Sequence, residues 1–179
     1  MSNSARTSSP GTDTGNVIRD SMMGLVPETV EEIIRLNGHV WRDSLVSASL
    51  LETLRLRNAR TVNCVFCKSV RYDVARADGL TEDKADMIGD DYEASSLTLR
   101  EKAAITLADA YLGFPAGITA DAARKVADAF DDDEIASMMV SLMTFNFTSR
   151  AAVSNGGMPE GPLPITEVSV ISSGGQPNQ

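Results

Sequence analysis

The chain reads as an all-α protein. Apolar residues recur at helical spacing through its middle. Helix-starting residues stand before those runs, and Gly and Pro gather between them and near the end. Residues 1–16, rich in Ser, Thr and Gly, are expected to be a disordered tail, too polar to repay the entropy of ordering. Pro27 suits a first helical turn, and Ile33, Leu36, Val40 and Trp41 follow on one face. Ser49 to Arg60 continues with Leu50, Leu51 and Leu54. Cys64 to Ala75 reads as a further helix, closed by Asp78 and Gly79. Thr81 opens a short acidic helix. Thr98 and Glu101 match a capping box, with Leu99, Ala103, Leu107, Ala110 and Tyr111 as the stripe behind it.

After the breakers Gly113, Pro115 and Gly117, Thr119 caps a helix carrying Ala123, Val126, Ala127 and Phe130. Asp131 to Glu134 then starts the longest apolar helix, from Ile135 to about Val153. Met138, Met139, Val140, Leu142, Met143, Phe145 and Phe147 cover nearly its whole circumference, as in a helix central to a core or to an oligomer interface. That apolar surplus predicts a homo-oligomer. Residues 17–154 form the helical domain, and 155–179 a Gly- and Pro-rich tail. Within that tail, Ile165 to Ile171 alternates weakly, as would an arm laid on a partner subunit.

The chain has 179 residues and a net charge of -9, so a single core is expected, with a surface that repels phosphate backbones. Nucleic acid is therefore not an expected partner. No apolar run approaches the roughly 18 residues needed to span a bilayer, so no membrane contact is expected. The polar N-terminal stretch lacks the apolar segment of a secretory signal, which predicts a cytoplasmic location. There a lone pair of cysteines three apart is more often redox-active or metal-binding than a structural staple.

That pair, Cys64 and Cys67, is the only concentrated chemistry in the chain. One helical turn apart, the two can close a disulfide. At a helix start the backbone N–H groups favour the thiolate. On a continuous helix Arg71 falls on the same face, and Lys68 is adjacent, so two cations would lower a thiol pKa. The plainer alternative is two buried small hydrophobes. A structural zinc site wants four ligands, and the chain offers two Cys and one His, His39, on another helix. No metal and no cofactor is expected.

Eleven residues separate Glu52, with Leu54 and Arg55 just behind it, from Cys64, and two more separate Cys64 from Cys67. This spacing resembles the signature of the carboxymuconolactone decarboxylase / AhpD-like (alkylhydroperoxidase D) family, which runs Glu, eleven residues, Cys, two residues, Cys, three residues, His. The stretch from Leu97 to Ala103 and that from Phe130 to Ile135 also resemble the family's second half, so the likeness spans roughly residues 17–154. It implies an AhpD-like helical bundle assembling into trimers or hexamers. It implies reduction of a peroxide or disulfide, with a thiol compound of unknown identity as electron donor. Cys67 would attack, Cys64 would resolve, and Glu52 would belong to the proton relay. The decarboxylase branch lacks the cysteine pair, so its presence favours the thiol branch.

Where the family has His, this chain has Arg71. If the chain turns back near Asn63, Glu52 lies about 14 Å before the turn and Arg71 about 10 Å after Cys64. A Glu52–Arg71 ion pair is then the natural expectation. Arg cannot exchange protons near neutral pH, so the acid–base step falls to Glu52 or water. Cys67, one turn from Arg71, is expected to be the more reactive thiol, with Cys64 nearer solvent at the helix entrance.

His39 lies off the apolar face of its helix and reads as a surface or interface residue rather than a substitute for the missing His. Asp131 to Glu134 reads as a helix-start charge cluster rather than a metal site. The Met residues read as core filler. Tyr72 and Phe66 would pack against the cysteine segment. Two other functions stand beside the thiol enzyme. One is a non-catalytic, redox-sensing assembly module of the same fold. The other is a cofactor-free decarboxylase or lyase acting on a small acid or lactone.

Overall fold

The computed structural model describes residues 4–170. Eight α-helices account for nearly all regular structure: α1 Pro27–Arg42, α2 Ala48–Thr61, α3 Val65–Ser69, α4 Asp73–Ala77, α5 Glu82–Asp86, α6 Leu99–Leu112, α7 Ala120–Ala127 and α8 Asp132–Asn155. Two 3-10 turns, Met22–Leu25 and Tyr92–Ala94, and two three-residue strands, β1 Val70–Tyr72 and β2 Thr166–Val168, complete it among the described residues. The all-α class is as the sequence predicts. Among the described residues, no helix is long and apolar enough to cross a membrane.

Local chemistry sets the helix starts. Pro27 occupies the first turn of α1. Ser47, Thr81 and Thr119 accept backbone N–H groups at the starts of α2, α5 and α7. Thr98 with Glu101 and Asp131 with Glu134 form reciprocal capping boxes on α6 and α8.

The central element is α2, packed against α6 on one side and α8 on the other. Every residue from Leu50 to Ala59 is buried. Leu50, Leu51 and Leu54 enter the main core with Trp41, Leu107, Met138, Leu142 and Phe145. Ala103, Ala104 and Ala108 keep the facing side of α6 small, which lets the two helices approach closely. By contrast α8, expected to be apolar all round, divides into two faces. Met138, Leu142 and Phe145 are buried, while Val140, Met143 and Phe147 are exposed.

Burying α2 all round means burying its charges. Arg57 meets both carboxylate oxygens of Asp109, at 2.5 and 3.0 Å, and Asp90 at 2.9 Å. Burial opposes its charge, but the Asp109 and Asp90 carboxylates outweigh it and hold the guanidinium above its ordinary value.

The helix expected from Cys64 to Ala75 is broken. It ends at Ser69, passes through β1, and resumes as α4. Two buried guanidiniums account for the break. Arg55 donates to the carbonyls of Cys67 at 2.7 Å and Val70 at 2.6 Å. Arg71 donates to the carbonyls of Lys68 and Val70, each at 2.8 Å. The Cys67 and Lys68 carbonyls are those that would accept the next helical N–H groups. With both taken, the chain extends and pairs outward instead.

Its partner is β2, in parallel register: Val70 with Thr166, Arg71 with Glu167, Tyr72 with Val168. The segment read as an arm for a partner subunit therefore lies on its own chain, and Val170 enters the main core. The other end also touches the body, since Arg6 N donates to Asn155 O at 2.7 Å and Arg6 reaches Ser154 O. The parts of the two tails at residues 1–3 and 171–179, Ile171 included, lie outside the described residues.

Candidate functional site

Between α2 and α3 the chain reverses in a tight turn. Cys64 N donates to Ala59 O and Asn63 N to Arg60 O, with Asn63 at φ 59°. This is a Schellman-type helix end, and Asn is among the few residues that accept its left-handed position readily. The turn delivers Cys64 to the N-cap of α3, where its Sγ accepts the Cys67 N–H at 3.2 Å. Cys64 and Cys67 are joined as a disulfide, their Cα atoms 5.2 Å apart.

The two sulfurs have unequal surroundings. Cys64 is fully buried, while Cys67 is half-buried. This corrects the expectation that Cys64, at the helix entrance, would be nearer solvent. The Schellman turn folds Cys64 inward under α2, and the following turn of α3 lifts Cys67 toward the surface.

The cations expected at the thiols are elsewhere. Lys68 Nζ donates to Asn63 Oδ1 at 2.8 Å. Arg71 pairs with Glu82, not Glu52, at 3.2 Å from Nε and 3.0 Å from Nη2, and Arg76 holds the same carboxylate. The expected Glu52–Arg71 pair fails because the helix breaks before Arg71, turning its side chain toward α5.

Glu52 instead takes Arg55 on its own helix. Arg55 Nε reaches Glu52 Oε2 at 2.7 Å and Nη2 reaches Oε1 at 2.6 Å. Both groups are buried. Burial opposes the charge on Arg55, but the Glu52 carboxylate outweighs it and raises the guanidinium pKa. The pair is thus a charged clamp on the α3 backbone, since the same guanidinium binds the Cys67 carbonyl. It also lies over the Tyr72 ring at 5.6 Å, and Tyr72 stacks on Trp41 with ring centroids 4.2 Å apart. Tyr72 therefore packs near the site as expected, while Phe66 is exposed.

Against Cys67 stands a buried residue that sequence reasoning missed. Ser149 Oγ, on α8, donates to Cys67 Sγ at 3.4 Å. Asn58 Nδ2 of α2 donates to Ser149 Oγ at 3.0 Å and to Phe145 O at 3.2 Å. The available signal was the row Ser141, Phe145, Ser149 at four-residue spacing, which sets two hydroxyls on one face of α8.

Beside α3 lies a cleft of about 750 Å³, bounded by Arg60, Lys68, Ser69 and the segment from Gly156 to Ile165. Neither cysteine lines it. Among the described residues, no group of three His, Cys, Asp or Glu side chains could hold a metal ion. His39 pairs with Asp43 at 2.7 Å on the exposed side of α1. It supplies no replacement for a histidine at Arg71.

No family model matches the chain. Over 105 residues, 59% of this chain, it is 36% identical to an uncharacterized protein of Mycobacterium tuberculosis, present in two strains. The match spans only 37% of that protein's length. Among solved structures, the chain is similar to a protein of unknown function from Agrobacterium tumefaciens, named as a candidate antioxidant defence protein AhpD. The TM-score is 0.63 at 25% identity, covering 72% of this chain and 88% of that one.

Proposed function

We propose that the protein is a thiol-dependent redox enzyme that reduces a peroxide or a disulfide through Cys64 and Cys67. The observation that carries this reading is the disulfide itself, with one sulfur buried and the other half-buried, on an AhpD-like fold.

The asymmetry supports distinct roles. In the reduced protein the Cys67 thiolate attacks the distal oxygen of a hydroperoxide. The O–O bond breaks, the alcohol leaves with a proton from solvent, and Cys67 becomes a sulfenic acid. The Cys64 thiol then attacks the Cys67 sulfur, the disulfide forms and water departs. A dithiol donor reduces the disulfide by exchange and is itself oxidised. With a disulfide substrate, the same reduced pair performs the exchange directly. Glu52 supports this chemistry as a positioning residue through Arg55, which holds the Cys67 carbonyl.

The test is consumption of cumene hydroperoxide, or of a small disulfide, with dithiothreitol as donor. Mass spectrometry with thiol alkylation follows the Cys64–Cys67 pair in parallel. Loss of turnover in Cys67→Ser is expected, and unchanged turnover in that variant would sink the reading. One observation favours a second reading: the position of the family's histidine is held by an arginine locked onto Glu82. A pair that oxidises and reduces without catalytic turnover would identify a redox-sensing module instead.

A further inference from the structure

The hydrogen bond from Ser149 to Cys67 is the last step of a longer ladder. Arg150 Nε donates to Asn146 Oδ1 at 2.9 Å, and Asn146 Nδ2 donates to Asn58 Oδ1 at 2.7 Å. Asn58 Nδ2 donates to Ser149 Oγ, and Ser149 Oγ donates to Cys67 Sγ. Asn58, Asn146 and Ser149 are all buried.

The direction of this ladder is fixed from both ends. Arg150 can only donate, so the atom of Asn146 facing it must be the amide oxygen. That turns the Asn146 nitrogen toward Asn58 and makes the facing Asn58 atom its oxygen. Independently, the Phe145 carbonyl can only accept, so the Asn58 atom beside it must be nitrogen. The two constraints agree. Ser149 Oγ accepts from that nitrogen, and its single hydrogen is free for the sulfur. Every link donates toward Cys67, and a permanent cation stands at the far end.

We propose that this ladder stabilises the Cys67 thiolate. Ser149 supplies the direct hydrogen bond, while Asn58, Asn146 and Arg150 act as positioning residues that orient and polarise it. Hydrogen bonds to the charged form lower a thiol pKa, and aligned donors reinforce one another in a low-dielectric interior. The ladder thus provides the electropositive surroundings that Lys68 and Arg71, bound elsewhere, do not. The inference deepens the thiol reading of the same site and rests on Cys67 being its working sulfur.

The test is the pH profile of iodoacetamide alkylation of Cys67, in full-length protein carrying Cys64→Ser so that one thiol remains. Ser149→Ala should slow alkylation at pH 7 by about three- to tenfold, with the rates converging at alkaline pH, as one lost hydrogen bond to a thiolate predicts. Ser149→Thr keeps the hydroxyl and should recover most of the rate. Arg150→Gln, at an exposed position, should shift the profile the same way by less. Superimposable profiles for Ser149→Ala and its parent would overturn the proposal. If Ser149→Ala loses its helical circular dichroism, an unshifted Arg150→Gln profile would overturn it in turn. Turnover is scored separately. Cys67-dependent peroxide consumption with unshifted profiles removes only the ladder, whereas shifted profiles without turnover of peroxide or disulfide remove only the enzyme reading.

Discussion

Arg71 and Glu82 form a doubly bonded ion pair, and that pair separates Arg71 from the cysteines it follows in sequence. Arg71→Ala should therefore leave Cys67 alkylation at neutral pH essentially unchanged. It should destabilise the fold by about 1–3 kcal/mol, because carbonyls at the end of α3 lose a buried donor. Urea unfolding with parallel alkylation rates checks both. Arg71→His should not raise peroxide consumption, since a side chain at this position is directed at α5 and not at a sulfur. A clear gain of turnover would mean that the site rearranges on reduction.

Glu52 and Arg55 neutralise each other in the interior of α2. Glu52→Gln removes one charge and strands the other, so a loss of about 3–5 kcal/mol in urea unfolding is expected. The double variant Glu52→Leu, Arg55→Met removes both charges and should recover much of that loss. It should still free the Cys67 and Val70 carbonyls, visible as faster amide exchange across residues 65–72. Equal stability of the single variant and wild type would contradict a charged pair at this position.

The capping box of α6 gives a pH signature. Burial raises the Glu101 carboxyl, but hydrogen bonds from Lys84 and Thr98 outweigh it and hold the folded pKa below the ordinary 4.5. A depressed carboxyl adds stability that is complete above the unfolded value and lost as pH falls through the folded one. Wild type should therefore be more stable than Glu101→Gln at pH 7, by about 1 kcal/mol. That gap should close as the pH falls below 4.5. Thermal melts of both proteins from pH 7 to pH 3 read the difference, and a constant gap would contradict the assignment.

The homo-oligomer expected from the sequence has a definite candidate surface. Leu36 and Leu45 face Val140 across a groove between α1 and α8, and Met143 and Phe147 continue the exposed apolar row on α8. Sedimentation should give a mass above 19.1 kDa, and Met143→Glu should lower it. A stable monomer at micromolar concentration would remove the expectation.

Where a signal is local, the sequence carries it. Thr98, Thr119 and Asp131 each announce a helix through bonds closed within a few residues, and all three do so in the fold. The cysteine pair was equally legible, because its geometry spans one turn. The depth of α2 was not, since only Leu50, Leu51 and Leu54 mark an apolar face in its sequence, while Glu52, Arg55, Arg57 and Asn58 are in fact paired inside as well. Nor was the break after Ser69, which depends on Arg55 from the preceding helix and on residues 166–168 from the far end of the chain. Ser149 was hidden for a third reason. Ser149, next to Thr148 and Arg150, carries no distinctive chemistry until the fold brings α8 against Cys67.

The parallel pairing of β1 with β2 has a consequence for how the molecule is made. Val70 lies in the first half of the chain and Thr166 close to its other end. Synthesis proceeds from the N-terminus, so Cys64 and Cys67 leave the ribosome long before the strand that completes their neighbourhood exists. Until residues 166–168 have followed, β1 has no partner strand to pair with. Such non-local closures also form late in folding. The segment just after Cys67 is therefore among the last parts of the described fold to be completed, although it is made early.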